Sequence, residues 1–147
     1  GADEDAPVLT NEPAKITASG SYDAAERDDV DLMRDLHHAR HSADAEEELR
    51  RRGFDSLRIA IARQLTDEDP QVRKELADAL PNIVGVSAGP WLQELAADPQ
   101  PEVRRVAIAI LGTSGDPSIE AFLNQLRQQE SNPQVAELID GILEKRR

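Results

Sequence analysis

Three stretches of this chain can be laid over one another, and that self-similarity constrains the fold more than any other feature. Asp69-Pro70-Gln71-Val72-Arg73, Pro101-Glu102-Val103-Arg104 and Asn132-Pro133-Gln134-Val135 place their valines 31 and 32 residues apart. Four and eight residues after each valine stand Leu76 and Leu80, Ala107 and Leu111, and Ile139 and Leu143. Three and seven residues after it stand Glu75 and Ala79, Val106 and Ile110, and Leu138 and Ile142, so only Glu75 interrupts the apolar set. Apolar residues at these offsets share one side of a helix, and each block is expected to be amphipathic, with the first six of these side chains buried. Leu57-Ile61-Leu65, Leu92-Leu95 and Ile119-Leu123-Leu126 lie ahead of the blocks and supply a second helix per unit. A two-helix unit of that length covers its apolar faces only by stacking on its neighbours. The fold class this predicts is all-α, a right-handed α-solenoid of about four helix pairs.

Punctuation divides the chain in the same way. Asp69-Pro70, Asp116-Pro117 and Asn132-Pro133 each set a capping side chain before a proline, which suits a helix start because the first helical N–H is unpaired anyway. Leu80-Pro81 should end or kink the helix that starts at Pro70. The repeats then run over about 54–84, 88–112 and 116–147, preceded by a less regular pair over 22–53. In that pair Val30, Leu32, Met33 and Leu36 mark one helix within 22–40, and a second runs from about Ala43 to Arg52 and stops at Gly53. Residues 22–147 read as one repeat domain, and residues 1–21, rich in Pro, Ser and Thr, as an extended or disordered lead-in. Trp91, Tyr22, Phe54 and Phe122 are the whole aromatic inventory, so the interior is aliphatic and Trp91 reads as a core or inter-repeat wedge.

The run from Asp69 through Arg73 to Ala77 and Leu80, and the run from Pro101 through Arg104 to Ala107 and Leu111, resemble HEAT and HEAT-like repeats of the bilin-lyase type. The likeness covers 54–147 well and 22–53 poorly. It implies that an Asp ahead of the second helix and an Arg six residues later form a ladder between neighbouring repeats, and Asp67/Arg73 and Asp98/Arg104 keep that spacing. Glu130 with Ala136 departs from it, so the ladder is expected to stop before the last repeat. The resemblance further implies that the second helices line a concave side. Their outward positions, two and six residues after each valine, are Lys74 and Asp78, Arg105 and Ala109, and Glu137 and Gly141. The implied function is a non-catalytic scaffold that binds a protein or an extended peptide and needs no cofactor. Bilin lyases, alkylpurine DNA glycosylases and deoxyhypusine hydroxylase have a similar architecture. The His-Glu dipeptides that hold iron in the last are absent here, and a HEAT-like enzyme such as a bilin lyase is kept as the alternative.

The chemistry-bearing residues are few. With no cysteine there is no disulfide, thiolate metal site or thiol nucleophile. No G-x-S-x-G, G-x-x-x-x-G-K-[ST] or G-x-G-x-x-G run occurs, and Gly112-Thr113-Ser114-Gly115 reads as a turn. His37, His38 and His41 are the only histidines. His37 and His41, at i,i+4, would share one face of a helix as in metal sites, with Asp44 and Glu48 nearby; the other reading is a solvated histidine cluster on an acidic helix.

The net charge of -12, with 14 acids against 5 bases in residues 1–50, repels phosphate backbones and argues against a nucleic-acid partner. Arg50, Arg51, Arg52, Arg58 and Arg63 form one local basic cluster, but Glu46, Glu47 and Glu48 precede it. No apolar stretch nears the roughly 20 residues of a membrane span, so no membrane insertion is expected. Gly1-Ala2-Asp3-Glu4-Asp5 lacks a signal-peptide pattern, and the compartment stays open between the cytoplasm and an exported form with its signal removed. Gln134, Glu137, Asp140, Gly141 and Glu144 give the last helix a polar or small outer side, which predicts a closed end and a monomer.

Overall fold

Side-chain caps mark the start of four of the eight α-helices among the described residues. The computed structural model describes residues 21–147, and every regular element among them is helical. The lead-in expected over 1–21 lies, up to residue 20, outside the described residues. The chain divides into two compact units, Gly1–Thr66 and Asp67–Arg147. The division falls inside the stretch 54–84 that the spacing assigns to one repeat.

In the first unit a 3-10 turn over Ala24–Glu26 is capped by Asp23, which accepts from Ala25 N at 3.1 Å. Helix α1 (Asp29–Asp35) follows behind Asp28, then α2 (Ser42–Arg51), then α3 (Ser56–Leu65) behind Asp55. Asp28 accepts from Asp31 N at 2.8 Å and Asp55 from Arg58 N at 3.0 Å, each taking up one of the N–H groups a helix start leaves unpaired. Leu32, Met33, Leu36, Ala45, Leu49, Ile59, Ile61, Ala62 and Leu65 form the interior.

Two sequence expectations need correction here. The helix placed within 22–40 ends at Asp35, and Arg63 Nη1, from α3, donates at 3.1 Å to the carbonyl of Leu36 just past that end. Leu57 is 37% exposed, and Ile59, two residues on, turns inward in its place. Gly53 is needed for its backbone, since its φ of 102° lets the chain leave α2 with Phe54 N donating to Leu49 O.

The second unit holds α4 (Pro70–Ala79), a 3-10 turn over Leu80–Asn82, α5 (Ala88–Leu95), α6 (Pro101–Leu111), α7 (Ser118–Gln129) and α8 (Pro133–Lys145). Asp69 and Asn132 cap α4 and α8 by accepting from Gln71 N and Gln134 N, both at 2.9 Å. Helix α6 packs on α4, α5 and α8, and α7 packs on α8, so the second helices of successive repeats adjoin directly. Leu76, Leu80, Ala107, Leu111, Ile139 and Leu143 are all buried, as are Leu92, Leu95, Ile119 and Leu123 of the first helices. Trp91 is half-buried. Arg146, just past α8, donates to Ser114 O at 2.7 Å and Asp116 O at 3.0 Å and so ties the end of α8 to the turn between α6 and α7.

Close approach of α6 and α8 depends on one glycine. A Cβ built on Gly112 would sit 2.7 Å from Ile142 Cδ1 and 3.0 Å from its Cγ1. Gly112→Ala is therefore expected to cost about 1–3 kcal/mol by overpacking, measured by urea unfolding, and Ile142→Val on the same chain should return part of it. An unchanged midpoint would mean that Ile142 swings aside freely.

Candidate protein-binding face

Polar groups at the edge of the core come first, because they decide which charges are left for a partner. Arg73 on α4 lays its guanidinium against the carboxylate of Asp98, Nε to Oδ1 at 2.6 Å and Nη2 to Oδ2 at 3.0 Å, while Nη1 donates to Asp67 O at 2.7 Å and Glu68 O at 3.2 Å. Arg104 on α6 repeats the arrangement one unit later. Its Nε and Nη2 reach Glu130 at 2.8 and 2.7 Å, and Nη1 reaches Asp98 O at 3.0 Å and Pro99 O at 3.2 Å. Each acid also accepts the backbone N–H two residues on: Asp69 N for Asp67, Gln100 N for Asp98 and Asn132 N for Glu130. The paired bidentate geometry is the strong form of the Arg–carboxylate interaction, and burial protects it from solvent.

The expectation that the ladder stops before the last repeat is thus corrected, because Glu130 receives Arg104 in the place where Asp98 receives Arg73. The signal was present: Asp67, Asp98 and Glu130 all lie five residues before their valine, and a longer acid serves as well. What Ala136 removes is a further rung beyond it. The Arg104 hydrogen bonds, then the Asn132 N–H, hold the Glu130 carboxyl below its ordinary value against the opposing effect of burial.

A group depressed in the folded state adds stability that is complete above its unfolded pKa and is lost as the pH falls through the folded one. The urea midpoint should therefore decline as pH drops from about 4.3 downward, and Glu130→Gln should flatten that part of the profile. Parallel profiles for the two chains would remove Glu130 from the acid response.

Outward positions of the second helices remain. Asp78, Arg105, Ala109, Glu137 and Gly141 are exposed and Lys74 is half-buried, all on α4, α6 and α8. Arg105 Nε donates to Glu102 at 2.9 Å within α6, and Gln71 Nε2 donates to Glu75 at 3.1 Å within α4. Among the described residues Lys74, Asp78 and Glu137 have no ion pair. A depression of about 290 Å³ on the same unit is lined by Ala96, Ala97, Leu126, Asp98, Arg104 and Glu130, and its charged groups are engaged with one another or with Arg73.

The histidines lie in the connection between α1 and α2, so the i,i+4 spacing of His37 and His41 is not a helical one, which corrects that reading. His37 Nε2 lies 3.0 Å from Thr66 Oγ1 and 3.1 Å from Arg63 O. The His41 ring stacks on Tyr22 at 4.1 Å. Among the described residues no group of three His, Asp or Glu is arranged to hold a metal ion.

Tyr22 Oη donates to Asp35 at 2.6 Å, and Arg27 Nε donates to the same oxygen at 2.5 Å. Burial first, then this hydrogen bond, pushes the Tyr22 phenol up. The basic cluster is neutralised locally: Arg50 pairs with Glu46, Arg51 and Arg52 with the buried Glu48, Arg58 with Asp55 and Arg63 with Glu46. Among the described residues no helix is long and apolar enough to cross a membrane.

Second helices that adjoin in sequence order, joined by a recurring Arg–carboxylate rung, define a helical repeat scaffold. A comparison with protein-family models matches residues 57–140 to HEAT repeats, and the chain belongs to that family. Searches of the curated proteins and of the solved structures found no match.

Proposed function

We propose that this chain is a non-catalytic protein-interaction scaffold whose binding face is formed by α4, α6 and α8. The observation that carries the reading is the side-by-side packing of these helices with Asp78, Arg105, Ala109, Glu137 and Gly141 turned to solvent. The ladder residues Asp67, Arg73, Asp98 and Arg104 are structural in this reading: Arg73, Asp98 and Arg104 are paired within the fold, and the Asp67 carboxylate accepts the Asp69 N–H. A photo-crosslinker at Ala109 tests it. Cross-links from Ala109 in the source cell should converge on one protein or peptide and disappear with Gly141→Trp, a bulky side chain at an exposed position of α8 with open space around it, whereas a probe at Ala121, exposed on α7, should give none of them. Equal capture from both positions would overturn the reading.

The same scaffold is proposed to act as a monomer. On α6 the side chains one and five residues past the valine are Arg104 and Ile108; on α8 they are Ala136 and Asp140, and Asp140 is exposed and paired with Arg127 at 2.8 Å. A charged group where a stacking helix would need an apolar one argues against a further copy packing there. Light scattering should give one mass across a concentration series; a dimer that dissociates when Ala136→Glu is introduced would show that flank to be an interface.

A further inference from the structure

We infer that the partner of the second-helix face is a basic extended segment, carrying two Lys or Arg side chains separated by about five or six residues. The inference rests on the scaffold reading above and names its ligand class. Lys74, Arg105 and Lys145 are the cations on the exposed side of these helices, against the carboxylates of Glu75, Asp78, Glu102, Glu137 and Glu144, so acids exceed bases five to three. Three of these carboxylates are already occupied, Glu102 by Arg105, Glu75 by Gln71 and Glu144 by Arg147. Asp78 on α4 and Glu137 on α8 are exposed and have no cation among the described residues, and Lys74, on the same helix as Asp78, makes no ion pair with it.

Ala109 on α6, the helix between these two acids, and Gly141 on α8, four residues past Glu137, are small and leave room for a backbone to cross. Helix axes that pack directly lie about 8–10 Å apart, so α4 and α8, one on each side of α6, present their acids roughly 16–20 Å apart. An extended chain advances about 3.3 Å per residue, and five or six residues bridge that span. The Arg105–Glu102 pair between them is neutral and repels a basic segment less than Arg105 would alone. The complementary charge also fits the whole molecule, whose net charge of -12 draws cationic segments to it at long range.

Fluorescence anisotropy with the full chain and labelled Gly/Ser peptides tests this. One peptide carries two Lys at the stated separation, a second carries two Glu, and a third carries the two Lys side by side. The spaced dibasic peptide should bind about tenfold or more tighter than the other two, and lose that advantage in molar salt. Asp78→Lys with Glu137→Lys should invert the preference between dibasic and diacidic peptides, whereas Glu94→Lys, an exposed acid on α5, should leave the order unchanged. Equal binding of the three peptides, or an effect of Glu94→Lys as large as that of Glu137→Lys, would reduce the attraction to net charge and overturn the inference. Selection from a random peptide display library separates the two levels. Winners that lack paired bases but still depend on Arg105 or Ala109 would sink the basic-segment inference alone, and winners indifferent to every face substitution would sink the scaffold reading as well.

Discussion

Arg73→Met is expected to destabilise the unit Asp67–Arg147 by about 3–5 kcal/mol, the cost of stranding one member of a buried ion pair. The side chains of Arg73 and Asp98 are 11% and 5% exposed, and the substitution leaves the Asp98 carboxylate with Gln100 N as its remaining donor. It also frees the carbonyls of Asp67 and Glu68, which Arg73 Nη1 occupies. Trp91 lies in this unit and is the sole tryptophan, so its fluorescence during urea unfolding reports the unit directly. Arg73→Met combined with Asp98→Asn removes the orphaned charge while keeping an acceptor for Gln100 N, and should recover much of the loss. Arg105→Met is the contrasting case. Its pair with Glu102 is 45% and 66% exposed, so solvent screening should hold the cost below about 1 kcal/mol. If Arg73→Met cost no more than Arg105→Met, burial would not be what gives the rung its strength.

The difference between these two arginines shows how far the residue pattern alone carries. Helices α4, α6 and α8 were legible because a valine, a proline two residues before it and its four- and eight-residue partners recur with a fixed offset, which is local information. The same offset places Asp67, Asp98 and Glu130, yet a motif read as Asp alone hides the third of them. The end of α1 was not legible. Nothing in His37-His38-Ala39-Arg40 breaks a helix, and the contact made where the chain leaves α1 is a distant one, Arg63 donating to Leu36 O from 27 residues away. That displacement takes His37 and His41 off a common helix face and with it the geometry that suggested a metal pair. Arg146 is similar: its place next to Lys145 suggests a charge at a helix terminus, whereas its function in the fold is to gather the carbonyls of Ser114 and Asp116 from 32 and 30 residues away. The outward residues of the second helices follow directly from the period, because a helix that commits one side to stacking exposes the other.

The burial half of that statement has its sharpest test at Leu111, where Leu111→Ala is expected to cost about 2–5 kcal/mol through lost contacts and the cavity left behind. Leu111 is 2% exposed and ends α6, the helix that packs on α4, α5 and α8. A site held on several sides relaxes little, and incomplete collapse is what moves a truncation toward the upper end of that range. Leu143 occupies the equivalent offset on α8, which packs on α6 and α7 but has an outer flank carrying Asp140, and it is 8% exposed. Leu143→Ala should therefore cost less than Leu111→Ala. Val84, in the same unit but 92% exposed, sets the baseline: Val84→Ala should stay within about 0.5 kcal/mol. Trp91 fluorescence in urea reads all three on one scale. The order Leu111, Leu143, Val84 follows if stacking between second helices supplies the cohesion of the unit. Equal losses at Leu111 and Leu143 would instead place that cohesion within each helix pair, and α6 would then be no more central than its neighbour.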